Sequence, residues 1–109
     1  MDILFSSKKL ERLCLDDALA TRTLGRLCAR KLRSRLDDLR AAVNLAYAQR
    51  LPGRFHPFQA DSDCTFALYL HADHRLVICP AHRPIPKLTD GTLNLAQVTI
   101  ITVTDIGVF

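Results

Sequence analysis

From residue 64 to residue 78 the chain alternates. Cys64, Phe66, Leu68 and Leu70 fall on one side, and Thr65, Ala67, Tyr69 and His71 on the other. A period of two marks a half-buried strand, because successive side chains point to opposite faces of a sheet. After Ala72 and Asp73 a second strand begins, with Leu76 and Ile78 pointing one way and Arg75 the other. The two strands form a hairpin, and a lone hairpin is marginal in water. It needs a covering layer, and the segments before it supply the candidates.

The strongest of these is a long helix. Leu24, Leu27, Cys28, Leu32, Leu36, Leu39 and Val43 recur at steps of three and four, one continuous apolar stripe. Gly25 weakens only its first turn. Ahead of it, Ser6 and Ser7 are caps for a first helix whose Leu10, Leu13 and Cys14 share a face, and Asp16 and Asp17 cap a second. A short helix over 45–48 ends before the Pro52-Gly53 turn. Residues 2–5 read as a first strand. The β-branched run 98–103 reads as a last strand and the hairpin's neighbour. The Pro-, Asp- and Gly-rich stretch 80–91 is long for a hairpin connection, which points to mobility or function. Strand, helices, then strands make an α+β fold, with N-terminal helices on one face of an antiparallel sheet.

A chain of 109 residues is a single domain, 1–109. No apolar run approaches the length of a membrane span, and Met1-Asp2 followed by three apolar residues is no secretory leader. The scattered cysteines, Cys14, Cys28, Cys64 and Cys79, read as reduced thiols, so a cytoplasmic protein with no membrane partner is expected. The net charge of +4 is modest, but twelve of the fifteen Lys and Arg lie between Lys8 and Arg54. Such a basic half suits nucleic acid or an acidic partner, and equally an ordinary solvated helix face.

No P-loop, dinucleotide fingerprint or nucleophile elbow is present. His71, His74, Cys79 and His82 are zinc-ligand types, but His74 to Cys79 runs along a strand that spans about 16 Å. Four ligands must converge within roughly 2.0–2.3 Å of one ion, so no metal is expected. A thiol nucleophile is rejected because the cysteines, Cys79 excepted, lie on apolar faces. The sharper group is Arg54, His56 and Arg75, with Phe55 and Phe58 beside it. Metal-free RNA cleavage needs a base for the 2′-hydroxyl, cations for the pentacoordinate phosphate and an acid for the leaving oxygen. Arginine and histidine suit those tasks, and aromatic rings stack on bases. On residue types alone the plainer assignment is the stronger: core phenylalanines, a turn histidine and surface arginines. Tyr69 and His71 read as outward-facing sheet residues, and Tyr69 as an ordinary one.

The segment Pro52-Gly53-Arg54-Phe55-His56-Pro57-Phe58, the strand after it and His74-Arg75-Leu76-Val77 resemble the HigB branch of the RelE/ParE toxin superfamily. The opening eleven residues, Arg35-Leu36-Asp37-Asp38-Leu39-Arg40-Ala41-Ala42, and Val98-Thr99 resemble it too. The resemblance implies a RelE/ParE-like fold and the toxin of a type II toxin–antitoxin pair. Its implied activity is ribosome-dependent mRNA cleavage with no metal or cofactor. Its implied partners are the ribosome, mRNA and a HigA-like helix-turn-helix antitoxin, with operator DNA reached only through the antitoxin complex. His56 falls on the family's catalytic histidine and Arg75 on its phosphate-binding arginine. Arg54, Lys8, Lys9, Arg30 and Arg33 would add RNA contacts. The sequence departs from the family pattern at 60–64, where two cations are replaced and Asp63 is gained. It departs also at the close, where Phe109 stands in place of the tyrosine of Asp-Tyr-His. A phenyl ring stacks on a base but transfers no proton. An alternative is therefore a non-catalytic protein of the same fold that binds the antitoxin and serves operon control.

Overall fold

The computed structural model describes residues 1–58 and 64–109. Strand β1 (Asp2–Phe5) leads into helix α1 (Lys8–Leu15), α2 (Asp17–Leu24), α3 (Arg26–Ala41) and the single-turn α4 (Leu45–Ala48). Then come β2 (His56–Pro57), β3 (Phe66–Tyr69), β4 (His74–Pro80), a 3-10 turn over Leu95–Gln97 and β5 (Ile100–Val108).

The helix starts follow their caps. The Leu10 amide donates to Ser7 Oγ at 3.2 Å, the Leu19 amide to Asp16 Oδ1 at 3.1 Å and the Tyr47 amide to Asn44 Oδ1 at 2.8 Å. Each occupies an amide that no helical carbonyl reaches. The long helix expected around residues 24–43 runs unbroken from Arg26 to Ala41, while Leu24 ends α2. Gly25 sits at φ +86°, outside helical backbone, with nothing near where a Cβ would stand. The requirement is conformational and not steric. The chain doubles back there, and Arg33 reaches Asp17 at 2.9 Å.

The apolar stripe is also narrower than its spacing suggested. Cys28, Leu32, Leu36 and Leu39 are buried, but Leu27 is 50% and Val43 74% exposed. Leu27 lies one position, about 100° of rotation, away from Cys28. Val43 lies beyond the end of α3.

The sheet runs in the order β1-β5-β4-β3-β2. It is mixed, which corrects the antiparallel expectation. β2–β3, β3–β4 and β4–β5 are antiparallel, whereas β1 lies parallel to β5 with Asp2 opposite Ile100. The two strands come from opposite ends of the chain, so no hairpin turn dictates their relative direction.

The β3–β4 register pairs Phe66 with Ile78 and Leu68 with Leu76 on the helix-facing side. These join Leu32, Leu36, Leu39, Leu45, Ile101 and Val103 in one core. The alternate pairs, Ala67 with Val77 and Tyr69 with Arg75, face the other way. The turn uses Ala72 (φ +51°) and Asp73 (φ +66°), the two left-handed positions that match the twist of a two-residue hairpin. Between Val77 and Ile78 the register against β5 shifts, so Val77 lies opposite Asp105 and Ile78 opposite Val103. Thr104 is the extra residue of this bulge, and its hydroxyl donates to the Val77 carbonyl at 3.3 Å. β5 begins at Ile100 and continues to Val108, beyond the expected end at residue 103.

The 80–91 stretch carries order of its own. Lys87 bridges to Leu93, and the Leu88 amide donates to the Thr92 carbonyl at 2.7 Å. His82 Nε2 accepts from the amides of Thr99, at 2.9 Å, and Ile100, at 3.3 Å. No helix among the described residues is long and apolar enough to cross a membrane.

Candidate active site

The site begins at a turn that only glycine fits. Gly53 has φ +122°, and a Cβ there would lie 2.7 Å from Arg35 Nε. Arg35 reaches this position from α3 with a side chain only 11% exposed, held by Asp38 at 3.6 Å. The Gly53 carbonyl accepts from the Tyr69 amide at 2.7 Å, which fastens the turn to the end of β3.

Arg54 follows in left-handed backbone, at φ +53°. That twist brings its carbonyl to His56 Nδ1 at 2.6 Å. A carbonyl oxygen only accepts, so Nδ1 carries the proton and donates it. Nε2 is left as the variable position, buried and without a partner.

The two residues of β2 pair His56 with Ala67. This places the imidazole on the open face, stacked on the Tyr69 ring at 4.9 Å and 28°. The Arg75 guanidinium lies 4.8 Å from the centre of the same ring. Because β3 lies between β2 and β4, Tyr69 stands between the imidazole and the guanidinium. The negative face of the phenol ring attracts a cation. Arg75 Nε, like His56 Nε2, is buried without a hydrogen-bond partner. Neither Arg54 nor Arg75 forms an ion pair among the described residues. The resulting surface has cationic groups, a ring system and unused polar atoms, which suits a planar or phosphorylated anion.

Farther along the same face, Phe58 and Phe109 meet edge to face at 4.9 Å and 73°. His56, Arg75 and Phe109, separate in the sequence, thus share one face of the sheet, and Arg54 is exposed on the turn that leads into it. Lys8, Lys9, Arg30 and Arg33 do not join them. They are exposed on α1 and α3, in the layer that covers the opposite face, and Arg33 is engaged by Asp17. Phe55 stacks on Phe66 at 4.7 Å and packs against the core, so it is no base-stacking ring. The altered residues at 60–63 lie outside the described residues.

Two participants were passed over in the sequence. Tyr69 read as an ordinary outward residue, although the alternation already put it opposite Arg75. Arg35 interrupts the buried helical face between Leu32 and Leu36, a position where a lone arginine signals a long-range contact.

Two other histidines are engaged by the backbone and three cysteine thiols are held protonated by burial. His74 Nδ1 meets the carbonyls of His71 and Ala72, both at 3.2 Å, and His82 Nε2 is taken by backbone amides. Among the described residues, no three His, Cys, Asp or Glu gather closely enough to hold a metal ion. Burial pushes the Cys14 thiol up to about 11, against a smaller opposing pull from Arg40. Burial raises Cys28 and Cys79 as well, so these are thiols and not thiolates at neutral pH.

Together these features define an α+β protein with one helix-covered sheet face and one open, cationic and aromatic face. No protein-family model matches the sequence, and no similar curated protein or solved structure is found.

Proposed function

We propose that the open face is an RNA-cleaving site, and that the chain is a cytoplasmic HigB-like toxin of RelE/ParE-like fold. Its substrate would be mRNA on the ribosome, and its partner a HigA-like helix-turn-helix antitoxin. The observation that carries this reading is the state of His56. Its Nδ1 proton is committed to the Arg54 carbonyl, leaving Nε2 for proton transfer, with the Arg75 guanidinium across the Tyr69 ring.

In this mechanism Nε2 takes the proton of a 2′-hydroxyl, and the freed oxygen attacks the adjacent phosphorus. Arg75 and Arg54 hold the charge that gathers on the phosphate oxygens. The 5′ oxygen leaves and takes its proton from solvent. The products are a 2′,3′-cyclic phosphate and a 5′-hydroxyl. Phe109 stacks on a neighbouring base. No residue other than these supplies a step.

One observation favours a second reading. His56 Nε2 is covered, so a substrate reaches it only after a side-chain movement. A protein that keeps the toxin fold for antitoxin binding alone has no need of that movement.

Primer extension on mRNA from a translating extract separates the two. With the folded chain added, cuts should appear at A-site codons, and His56→Ala should reduce them about 10²-fold or more. Arg75→Ala should lower cleavage by roughly 10²-fold. Intact mRNA and undiminished translation would leave the antitoxin-binding reading in place.

A further inference from the structure

Beside the Arg75 group the open face carries a cavity of about 490 Å³, lined by Phe58, Thr65, Val77, Thr104, Asp105 and Phe109. Val77, 3% exposed, forms its floor. The Phe58 and Phe109 rings stand on it, and the bulge of β5 supplies Thr104 and Asp105. The bulge has a local consequence. It sets Asp105 opposite Val77, where regular pairing would place Thr104, so an exposed carboxylate stands beside an apolar floor. The Ile106 amide donates to Asp105 Oδ1 at 2.8 Å, which fixes the carboxylate's orientation. Nothing in the mechanism above uses Asp105.

We infer that this cavity is a nucleobase pocket whose Asp105 selects guanine. The inference rests on the RNA reading of the neighbouring site and gives that site a base preference. Two phenyl rings suit a flat heterocycle, because every base offers a π face to an aromatic side chain. An ionised carboxylate only accepts hydrogen bonds. It therefore favours a base edge rich in donors. Guanine presents N1–H and N2–H side by side, matching two carboxylate oxygens, whereas uracil offers a single N–H between two carbonyls. The spacing agrees as well. Arg75 and Val77 are two residues apart on one face of β4, roughly 7 Å. That is the reach of one ribose between a phosphate and its base.

The test is an amide NMR titration of the chain with guanosine, adenosine, cytidine and uridine 5′-monophosphates. Guanosine monophosphate should move the Val77, Thr104, Asp105 and Phe109 amides and bind about tenfold more tightly than uridine monophosphate. Asp105→Asn, a change at an exposed position, should bring the four nucleotides to within about threefold of one another while the remaining spectrum stays folded. Arg75→Ala should weaken all four alike, as loss of a phosphate contact does. Equal binding of the four to the native chain, shifts confined to other residues, or a guanine preference that survives Asp105→Asn would each overturn the inference. The outcome is independent of catalysis. Guanine-selective shifts with no mRNA cleavage would remove only the enzyme reading. Cleavage without shifts at the pocket would remove only the pocket.

Discussion

On the helix-facing side of the sheet, Leu68, Leu76, Ile78, Ile101 and Val103 are each 1% exposed or less. On the other side the same strands present Tyr69, Arg75, Thr102 and Asp105, with the half-buried His56 and Phe58 from the flanking segment. The first side excludes water and contains no buried polar residue among those described. The second keeps imidazole and guanidinium nitrogens unpaired beneath an aromatic surface. Buried polar groups without partners are costly, so one face contributes stability while the other retains unsatisfied chemistry. The alternation of β3 and β4 produces both.

The largest test of this contrast is Leu36→Ala. The side chain is almost fully buried in the core, and its removal should lower unfolding free energy by about 2–5 kcal/mol in urea titrations. Leu27→Ala, on the same helix but half exposed, should cost less than about 0.5 kcal/mol. Equal losses would mean that the stripe is buried as broadly as its spacing implies.

Gly53→Ala probes the seam between the faces. The added Cβ meets Arg35 Nε and Cδ, and φ +122° strains any L side chain. Destabilisation of about 1–3 kcal/mol is expected, with displaced His56 and Tyr69 resonances. Wild-type stability would show that Arg35 moves aside freely and does not hold the turn.

Tyr69 sharpens the comparison on the open face. Tyr69→Phe keeps the ring between His56 and Arg75, whereas Tyr69→Leu removes it. The leucine variant should bind short RNA about fivefold more weakly, in line with a lost cation–π contact of about 1 kcal/mol, and the phenylalanine variant should bind normally. Equal weakening in both would assign the role to the phenol hydroxyl instead. Melting temperature should change little in either.

The smallest effect lies in alkaline solution. The unfolded Cys14 thiol loses its proton at about 9.0 and the folded one at about 11. The folded state therefore holds the proton more tightly, so this contribution is complete below 9.0 and lost as pH rises towards 11. Thermal melts from pH 8 to 11 should fall less steeply in Cys14→Ala. Cys28 and Cys79, raised by the same cause, retain part of the slope. An unchanged slope would place Cys14 in solvent.

The site was partly readable before the fold was known. Arg54, His56 and Arg75 stood out by chemistry, and the proline–glycine turn pointed to a fixed geometry. Their assembly depends on long-range pairing: His56 against Ala67, Tyr69 against Arg75, and β5 against β4. Lys8, Lys9, Arg30 and Arg33 illustrate the converse. Their charge was visible, but the helices bearing them cover the opposite face, so proximity in composition was not proximity in space.

The sequence by itself determined the elements. Caps at Ser7 and Asp16 and the period-two run through residues 64–71 are local, each enforced by a hydrogen bond or a side-chain direction within a few residues. Only the tertiary structure decided that β1 lies parallel to β5, that Leu27 stays in water, that Tyr69 separates imidazole from guanidinium, and that a bulge turns Asp105 towards the aromatic pocket. These depend on which surfaces exclude water together and on registers between strands distant in the chain. No local preference encodes a partner tens of residues away.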